Sequence, residues 1–319
     1  MAVYTEVSFE EASQLLASLG LGQLTQMAPC SGGIENTNYF VTTDRGEHVL
    51  TLFERLSFAQ LPFYLKLMKH LAGHGVPVPD PAANARGELV YDVKGKPASV
   101  VTRLQGRSEL SPTPAHCAAV GAMLARMHLA AASFEPDQPN LRGLPWWNET
   151  VPVVLPHIDP GQRQMLLQEL AYQNHVAESA AYAALPRGPV HADLFRDNVM
   201  FAIGADGRCN TQLTGFFDFY FAGVDTWLFD LAVCLNDWCI DLDQGCDDSA
   251  RLASFLQAYE SVRPLDSNER RCLPAMRRAG ALRFWISRLW DFHLPREASL
   301  LKPHDPAHFE RVLLKRLKT

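Results

Sequence analysis

The 319 residues contain no run approaching the ~18 consecutive apolar positions of a membrane span, so a bilayer-spanning protein is not expected. Basic residues are not in excess: 29 Lys and Arg face 35 Asp and Glu, a formal net charge of -6. A nucleic-acid binder needs a basic face, so that class is set aside. The seven cysteines form no paired framework, and the spacing of Cys234, Cys239 and Cys246 fits no zinc motif. Met1-Ala2-Val3-Tyr4-Thr5-Glu6 lacks the basic segment and apolar stretch of a signal peptide. A cytoplasmic location is therefore expected. Internal repeats and low-complexity segments are missing too. What remains is an ordinary soluble composition, 47% hydrophobic and 20% charged, in a chain long enough for two lobes.

Against that background one stretch stands out. His191-Ala192-Asp193-Leu194-Phe195-Arg196-Asp197-Asn198 is followed twenty residues on by Phe216-Phe217-Asp218. Phosphoryl transfer asks for a base that orients an attacking hydroxyl and for oxygen-bearing side chains that hold magnesium on ATP. Asp193 suits the first role; Asn198 and Asp218 suit the second. The spacing has a geometric basis. Residues 199–202 and 213–217 look like short strands, and the turn-rich stretch 204–208 joins them as a hairpin. In an antiparallel hairpin the start of one strand lies beside the end of the other, so Asn198 and Asp218 can converge on one ion. Magnesium favours hard oxygen ligands, one or two carboxylates, and positions left to water and phosphate.

The remainder divides into a β-rich first part, residues 1–105, and a helical second part, 106–319. Ser8-Phe9-Glu10-Glu11 is a capping box opening a short helix that Gly20 or Gly22 ends. Ser31-Gly32-Gly33 sits in a polar, glycine-bearing loop ahead of a strand at Tyr39-Phe40-Val41-Thr42. Such a loop can lay backbone N–H groups over anionic phosphates. A second strand follows at residues 48–53. Ser57-Phe58-Ala59-Gln60 reads as another capping box, starting a helix with Leu61, Leu65, Met68 and Leu71 on one face. Residues 88–93 and 98–104 flank Lys94-Gly95-Lys96 as a hairpin. From Pro114 the pattern is helical, with one long helix over about 162–184 and further helices over most of 229–318. Strands and helices segregate, which is an α+β arrangement.

Taken together, these residues resemble the aminoglycoside phosphotransferase/choline kinase superfamily. Within it, the stretches 31–39, 49–54, 61–63, 143–147, 235–239 and 283–289 are similar to the bacterial homoserine kinases. The similarity runs from about residue 30 to 292. It implies a bilobal, protein-kinase-like fold with an antiparallel β-rich N-lobe carrying one packed helix, and a mainly helical C-lobe. It also implies ATP and Mg2+ as cofactors and L-homoserine as the small-molecule substrate.

By that resemblance, Ser31, Gly32, Gly33, Val101 and Arg103 are expected to contact the nucleotide, with the adenine near 101–104. His191 is expected to buttress the catalytic loop, and Asp230 to brace it from the helix behind. A zwitterionic acceptor needs a cation for its carboxylate, and arginine binds one bidentately. Arg283 and Arg288 are the candidates for that, with Asn236 and Asp237 for the amine. One departure is plain: kinases carry a lysine on the third strand paired with a helix glutamate. Here Thr51 stands at the strand position and Tyr64 nearest the helix position. Two other readings remain open: a superfamily kinase acting on an aminoglycoside, choline or a sugar, and a nucleotide-binding pseudokinase.

Overall fold

The computed structural model describes residues 4–30, 36–294 and 304–318. The chain forms two compact units, Met1–Gln105 with Gly215–Phe217, and Gly106–Thr214 with Asp218–Thr319.

In the first unit, α1 (Phe9–Ser18) opens on the Ser8 capping box, in which the hydroxyl accepts the Glu11 N–H and the Glu11 carboxylate accepts the Ser8 N–H. Then come β1 (Leu24–Pro29), β2 (Asn36–Thr43), β3 (Gly46–Phe53), α2 (Leu61–Gly73), β4 (Tyr91–Val93) and β5 (Lys96–Thr102). The sheet order is β1-β2-β3-β5-β4, every neighbouring pair antiparallel. Strand alternation sends Tyr39, Val41, Leu50, Leu52, Ala98 and Val100 to one face, where Ala12 and Leu16 of α1 join the core. The opposite face carries Asn38 and Thr51, which are directly paired across β2 and β3.

Local chemistry explains where these elements end. Lys94 (φ 56°) and Gly95 (φ 76°) give the two consecutive left-handed residues of a tight hairpin turn between β4 and β5. Ser57 and Gln60 do bond to each other, but they close a turn ahead of α2 rather than cap it. The helix proper starts at Leu61, with Pro62 in its first turn.

The second unit holds α3 (Pro114–Ala131), α4 (Leu144–Val154), α5 (Pro160–Ala177), α6 (Ala180–Ala183), β6 (Arg187–Val190), β7 (Val199–Ile203), most of β8 (Cys209–Phe216), β9 (Gly223–Thr226), α7 (Trp227–Trp238), α8 (Ser249–Val262), α9 (Ser267–His293) and α10 (Ala307–Arg316). The single helix expected over 162–184 is two, because Ser179 turns extended and caps α6 with its hydroxyl. In α7 every residue from Leu228 to Trp238 is buried, so it forms the centre of this unit. It packs against α9, while α3 packs against α8. Gly121 permits that second contact, since a Cβ there would stand 2.4 Å from the Phe255 carbonyl oxygen. Two small antiparallel ribbons, β6-β9 and β7-β8, carry the segments between the helices. Among the described residues no helix is long and apolar enough to cross a membrane. The α+β class, with an antiparallel first part and a helical second part, matches the sequence-based expectation.

Candidate active site

The loop from β6 to β7 holds residues 191–198, and its shape is imposed by α7 behind it. Asp230 lies one turn into α7 and is fully buried. Its Oδ2 accepts the His191 backbone N–H at 2.9 Å, and its Oδ1 accepts the Ala192 N–H at 2.8 Å. Ala192 adopts φ 63°, a left-handed conformation that costs a residue with a Cβ about 1–2 kcal/mol. The two charge-assisted bonds hold it there. His128 of α3 contacts the same carboxylate through Nε2 at 3.1 Å, and Tyr259 of α8 through Nδ1 at 2.8 Å. Burial keeps His128 less basic than usual, and the bonds from His128 and the loop keep Asp230 ionised despite its burial. Arg263 continues the chain, donating to the Tyr259 hydroxyl at 3.1 Å and to Glu269 at 2.6 Å. No local signal marks His128; its spatial meeting with Asp230, 102 residues away, shows what it does.

A second tie fixes the other half of the loop. The Arg196 N–H and Nε both donate to Asp237 Oδ2, at 2.8 and 3.2 Å, its Nη2 donates to the Asp237 carbonyl, and its Nη1 reaches the Leu110 carbonyl at 2.8 Å. No sequence signal pointed to Arg196. Between the two ties stands Asp193, whose N–H donates to His191 Nδ1 at 3.2 Å. Asn198 Nδ2 donates to the Asp193 carbonyl at 2.8 Å. That bond commits the amide nitrogen and leaves the oxygen as the end able to meet a cation.

Asp218 is exposed, in a left-handed conformation (φ 66°, ψ 57°), immediately before a 3₁₀ turn at Phe219–Phe221. Desolvation pushes the Asp193 carboxyl up to about 8; Arg283 opposes that shift, and the charges of Asp218, Asp197 and Asp237 add to it. Asp193 and Asp218 thus share one region of negative potential, with the Asn198 amide bonded to the Asp193 backbone. An oxygen-rich, anionic donor set with few protein ligands suits magnesium carried by a polyphosphate. Among the described residues no group of three or more His, Cys, Asp or Glu could hold a metal unaided.

A family model, the phosphotransferase enzyme family, matches residues 26–265. The chain belongs to that family. Curated relatives match over nearly the full length. A homoserine kinase of Polaromonas naphthalenivorans (strain CJ2) is 65% identical, over 99% of this chain and 98% of the relative. A homoserine kinase of Paraburkholderia xenovorans (strain LB400) is 57% identical, over 99% and 96%. Solved structures share the fold at low identity. An amicoumacin kinase in complex with AMP-PNP and Ca2+ has a TM-score of 0.68 at 18% identity, covering 96% of this chain and 91% of its own. Choline kinase from Cryptosporidium parvum Iowa II gives 0.64 at 12% identity, covering 92% and 89%.

The remaining expected positions of this phosphotransferase fall as follows. Ser31, Gly32 and Gly33 lie outside the described residues. Val101 is buried in β5 opposite Val49. The Arg103 guanidinium lies 4.1 Å over the Phe40 ring and pairs with Glu47 at 3.1 Å, so a role with nucleotide would require it to leave both. Asn236 is a correction. Its Nδ2 donates to the Arg277 carbonyl and its Oδ1 accepts from Arg316 Nε, so its amide ties helices together instead of facing an acceptor's amine. Asp237 uses one oxygen to hold Arg196. Arg288 stacks 4.5 Å over Phe309 of α10 and reaches the Asp305 carbonyl at 3.5 Å. Arg283 is buried beside Asp193 in electrostatic terms, with Phe284 and Phe221 against its guanidinium.

Proposed function

We propose that the chain transfers the γ-phosphoryl group of ATP to the side-chain hydroxyl of L-homoserine, giving O-phospho-L-homoserine and ADP. The observation that carries the reaction type is the constellation at the loop: Asp193 held through its backbone on both sides, Asn198 bonded to its carbonyl, and the Asp193 carboxyl made more basic by burial, with Asp218 adding to that. The acceptor follows from full-length relatives that are named homoserine kinase.

Asp193 accepts a hydrogen bond from the acceptor hydroxyl and aligns its oxygen for in-line attack on the γ-phosphorus. The hydroxyl proton passes to the Asp193 carboxylate as the new P–O bond forms, and the bond from the γ-phosphorus to the β,γ-bridging oxygen breaks to release ADP. Positioning and charge neutralisation supply most of the acceleration, because phosphoryl transfer asks little covalent chemistry of the protein. Asn198 and Asp218 would hold magnesium, which when bound neutralises phosphate charge. His191 and Asp230 keep the loop in register. For the nucleotide the assignment rests on the sequence resemblance alone: Ser31, Gly32 and Gly33 for the phosphates, and Val101 and Arg103 for the base. The reaction is placed in the cytoplasm.

The test is direct. Purified protein with MgATP and L-homoserine should release ADP and form a phosphate monoester detectable by phosphorus NMR. Turnover with kanamycin or choline but not homoserine would reassign the acceptor. Absence of turnover with any alcohol would favour the pseudokinase reading.

A further inference from the structure

Arg283 is 3% exposed, yet no carboxylate among the described residues pairs with it. Only one of its three nitrogens has a hydrogen-bond partner: Nη1 donates to the Ser287 hydroxyl one helical turn on, at 3.3 Å. Nε and Nη2 are buried with none. Those two atoms share one edge of the guanidinium, the edge that presents two parallel N–H groups to a carboxylate. Aromatic rings lie against the guanidinium, with Phe284 at 3.9 Å and Phe221 at 5.1 Å, so the unbonded edge is the part left for a polar partner.

A buried cation with no carboxylate in direct contact and two unbonded N–H groups is costly, and stability alone does not justify it. Burial makes Arg283 less basic, bringing it to about 10, which still leaves it charged at neutral pH; Asp193 helps to keep it so. Asp291 supports the charge as Asp193 does, while Arg142 and Arg288 add positive potential around it. The site is thus prepared for an anion that comes from outside the chain. Phe221, which caps the guanidinium, closes the 3₁₀ turn that begins just after Asp218. Arg283 therefore lies in the region of the reacting groups, not at a remote surface.

We propose that Arg283 is the specificity-determining residue of the acceptor site, its Nε–Nη2 edge clamping the α-carboxylate of the amino acid whose hydroxyl meets Asp193. The assignment rests on the homoserine reading above and explains how a fold shared with kinases of cationic or neutral alcohols selects an amino acid. Arg288 lacks the credentials for this role, because its guanidinium is already stacked on Phe309 and bonded to the Asp305 carbonyl.

The test removes the carboxylate from each side in turn. Wild type, Arg283→Met and Arg283→Lys are assayed with L-homoserine and with 3-aminopropan-1-ol, the same acceptor without its carboxylate. Wild type should favour homoserine in kcat/KM by roughly 100-fold or more, as a built polar site rejects a ligand that leaves it unpaired. In Arg283→Met that preference should fall below about tenfold, through loss on homoserine. Arg283→Lys should fall between, because a point charge cannot reproduce the bidentate edge. Thermal melts and ATP affinity report folding independently, and the lysine variant serves if methionine does not fold. A preference kept intact in the variants, with both acceptors losing equally, would overturn the clamp and make Arg283 a structural support. A wild type that does not prefer homoserine over the amino alcohol would overturn it too. Failure of wild type to turn over homoserine at all would strike the function reading instead.

Discussion

Replacing Asp230 with Asn keeps the shape of a fully buried side chain and removes only its charge and one acceptor atom. Each carboxylate oxygen already receives a backbone N–H, from Ala192 at 2.8 Å and His191 at 2.9 Å, and His128 shares the second oxygen. An amide can satisfy only one of those sides. Whichever way it turns, its NH2 points at a backbone donor, and one buried N–H loses its acceptor. A hydrogen bond to a charged group contributes about 1.5–3 kcal/mol, and a buried unsatisfied donor costs about 1–3 kcal/mol. The loss should therefore total about 3 kcal/mol, and a melting point roughly 4–5 °C lower follows for a chain of this size. Ala192, no longer held at φ 63°, relaxes toward ordinary backbone and moves Asp193, its neighbour. A displacement of about 1 Å at reacting groups costs about 100-fold in rate. Differential scanning fluorimetry and steady-state kinetics on Asp230→Asn should thus show a lower melting point and a kcat loss larger than any change in KM for ATP. A variant that melts with wild type and keeps its kcat would refute the brace.

Three other perturbations follow from the same geometry. Asp193→Asn should cut kcat by roughly 1,000-fold while the protein stays folded. Because burial raises this carboxyl from 3.8 to about 8, wild type carries a penalty that is absent below pH 4 and grows as pH rises toward 8. The metal-free Asn variant should accordingly gain stability over wild type between those pH values, and a margin that shrinks with rising pH would contradict the sign. Asp218→Ala should abolish the magnesium-dependent part of nucleotide affinity in calorimetric titrations; unchanged affinity with and without Mg2+ would remove it from the metal site. Gly121→Ala places a Cβ 2.4 Å from the Phe255 carbonyl oxygen, so α3 and α8 must part. The change should destabilise by about 1–3 kcal/mol in urea unfolding, and a neutral effect would show that the helices yield easily.

The parts of the fold that sequence revealed are those whose signals are local. The Ser8–Glu11 capping box, the Lys94-Gly95 turn and the alternation along β2 and β3 each depend on residues within a few positions of one another. The loop 191–198 was legible for the same reason, since its spacing encodes its chemistry. Helix limits were less so: Ser57 and Gln60 have the residue types of a capping box, yet the helix waits until Leu61. Long-range ties were legible only where the resemblance supplied them, as for Asp230 behind the loop. Arg196 finds Asp237 across 41 residues, and His128 finds Asp230 across 102. Asn236 was read as able to serve an acceptor's amine from its residue type alone, whereas α7 is buried and the amide is used between helices.

Thr51 shows how absence in the sequence becomes construction in the structure. A kinase lysine at this strand position needs a carboxylate to neutralise it, and here the neighbouring side chain across the sheet is Asn38. The Thr51 hydroxyl donates to Asn38 Oδ1 at 2.7 Å, which pairs the two polar groups and leaves no charge in a strip only 6% exposed at Thr51. A lysine substituted into β3 would lose that bond and would have to place an ammonium beside an amide. The neutral pair is thus self-consistent on its own sheet face, so a missing lysine is no argument for a degenerate enzyme. Within the second unit, by contrast, charge is concentrated: Asp193 interacts with Arg283 and with the carboxylates of Asp218, Asp197 and Asp237.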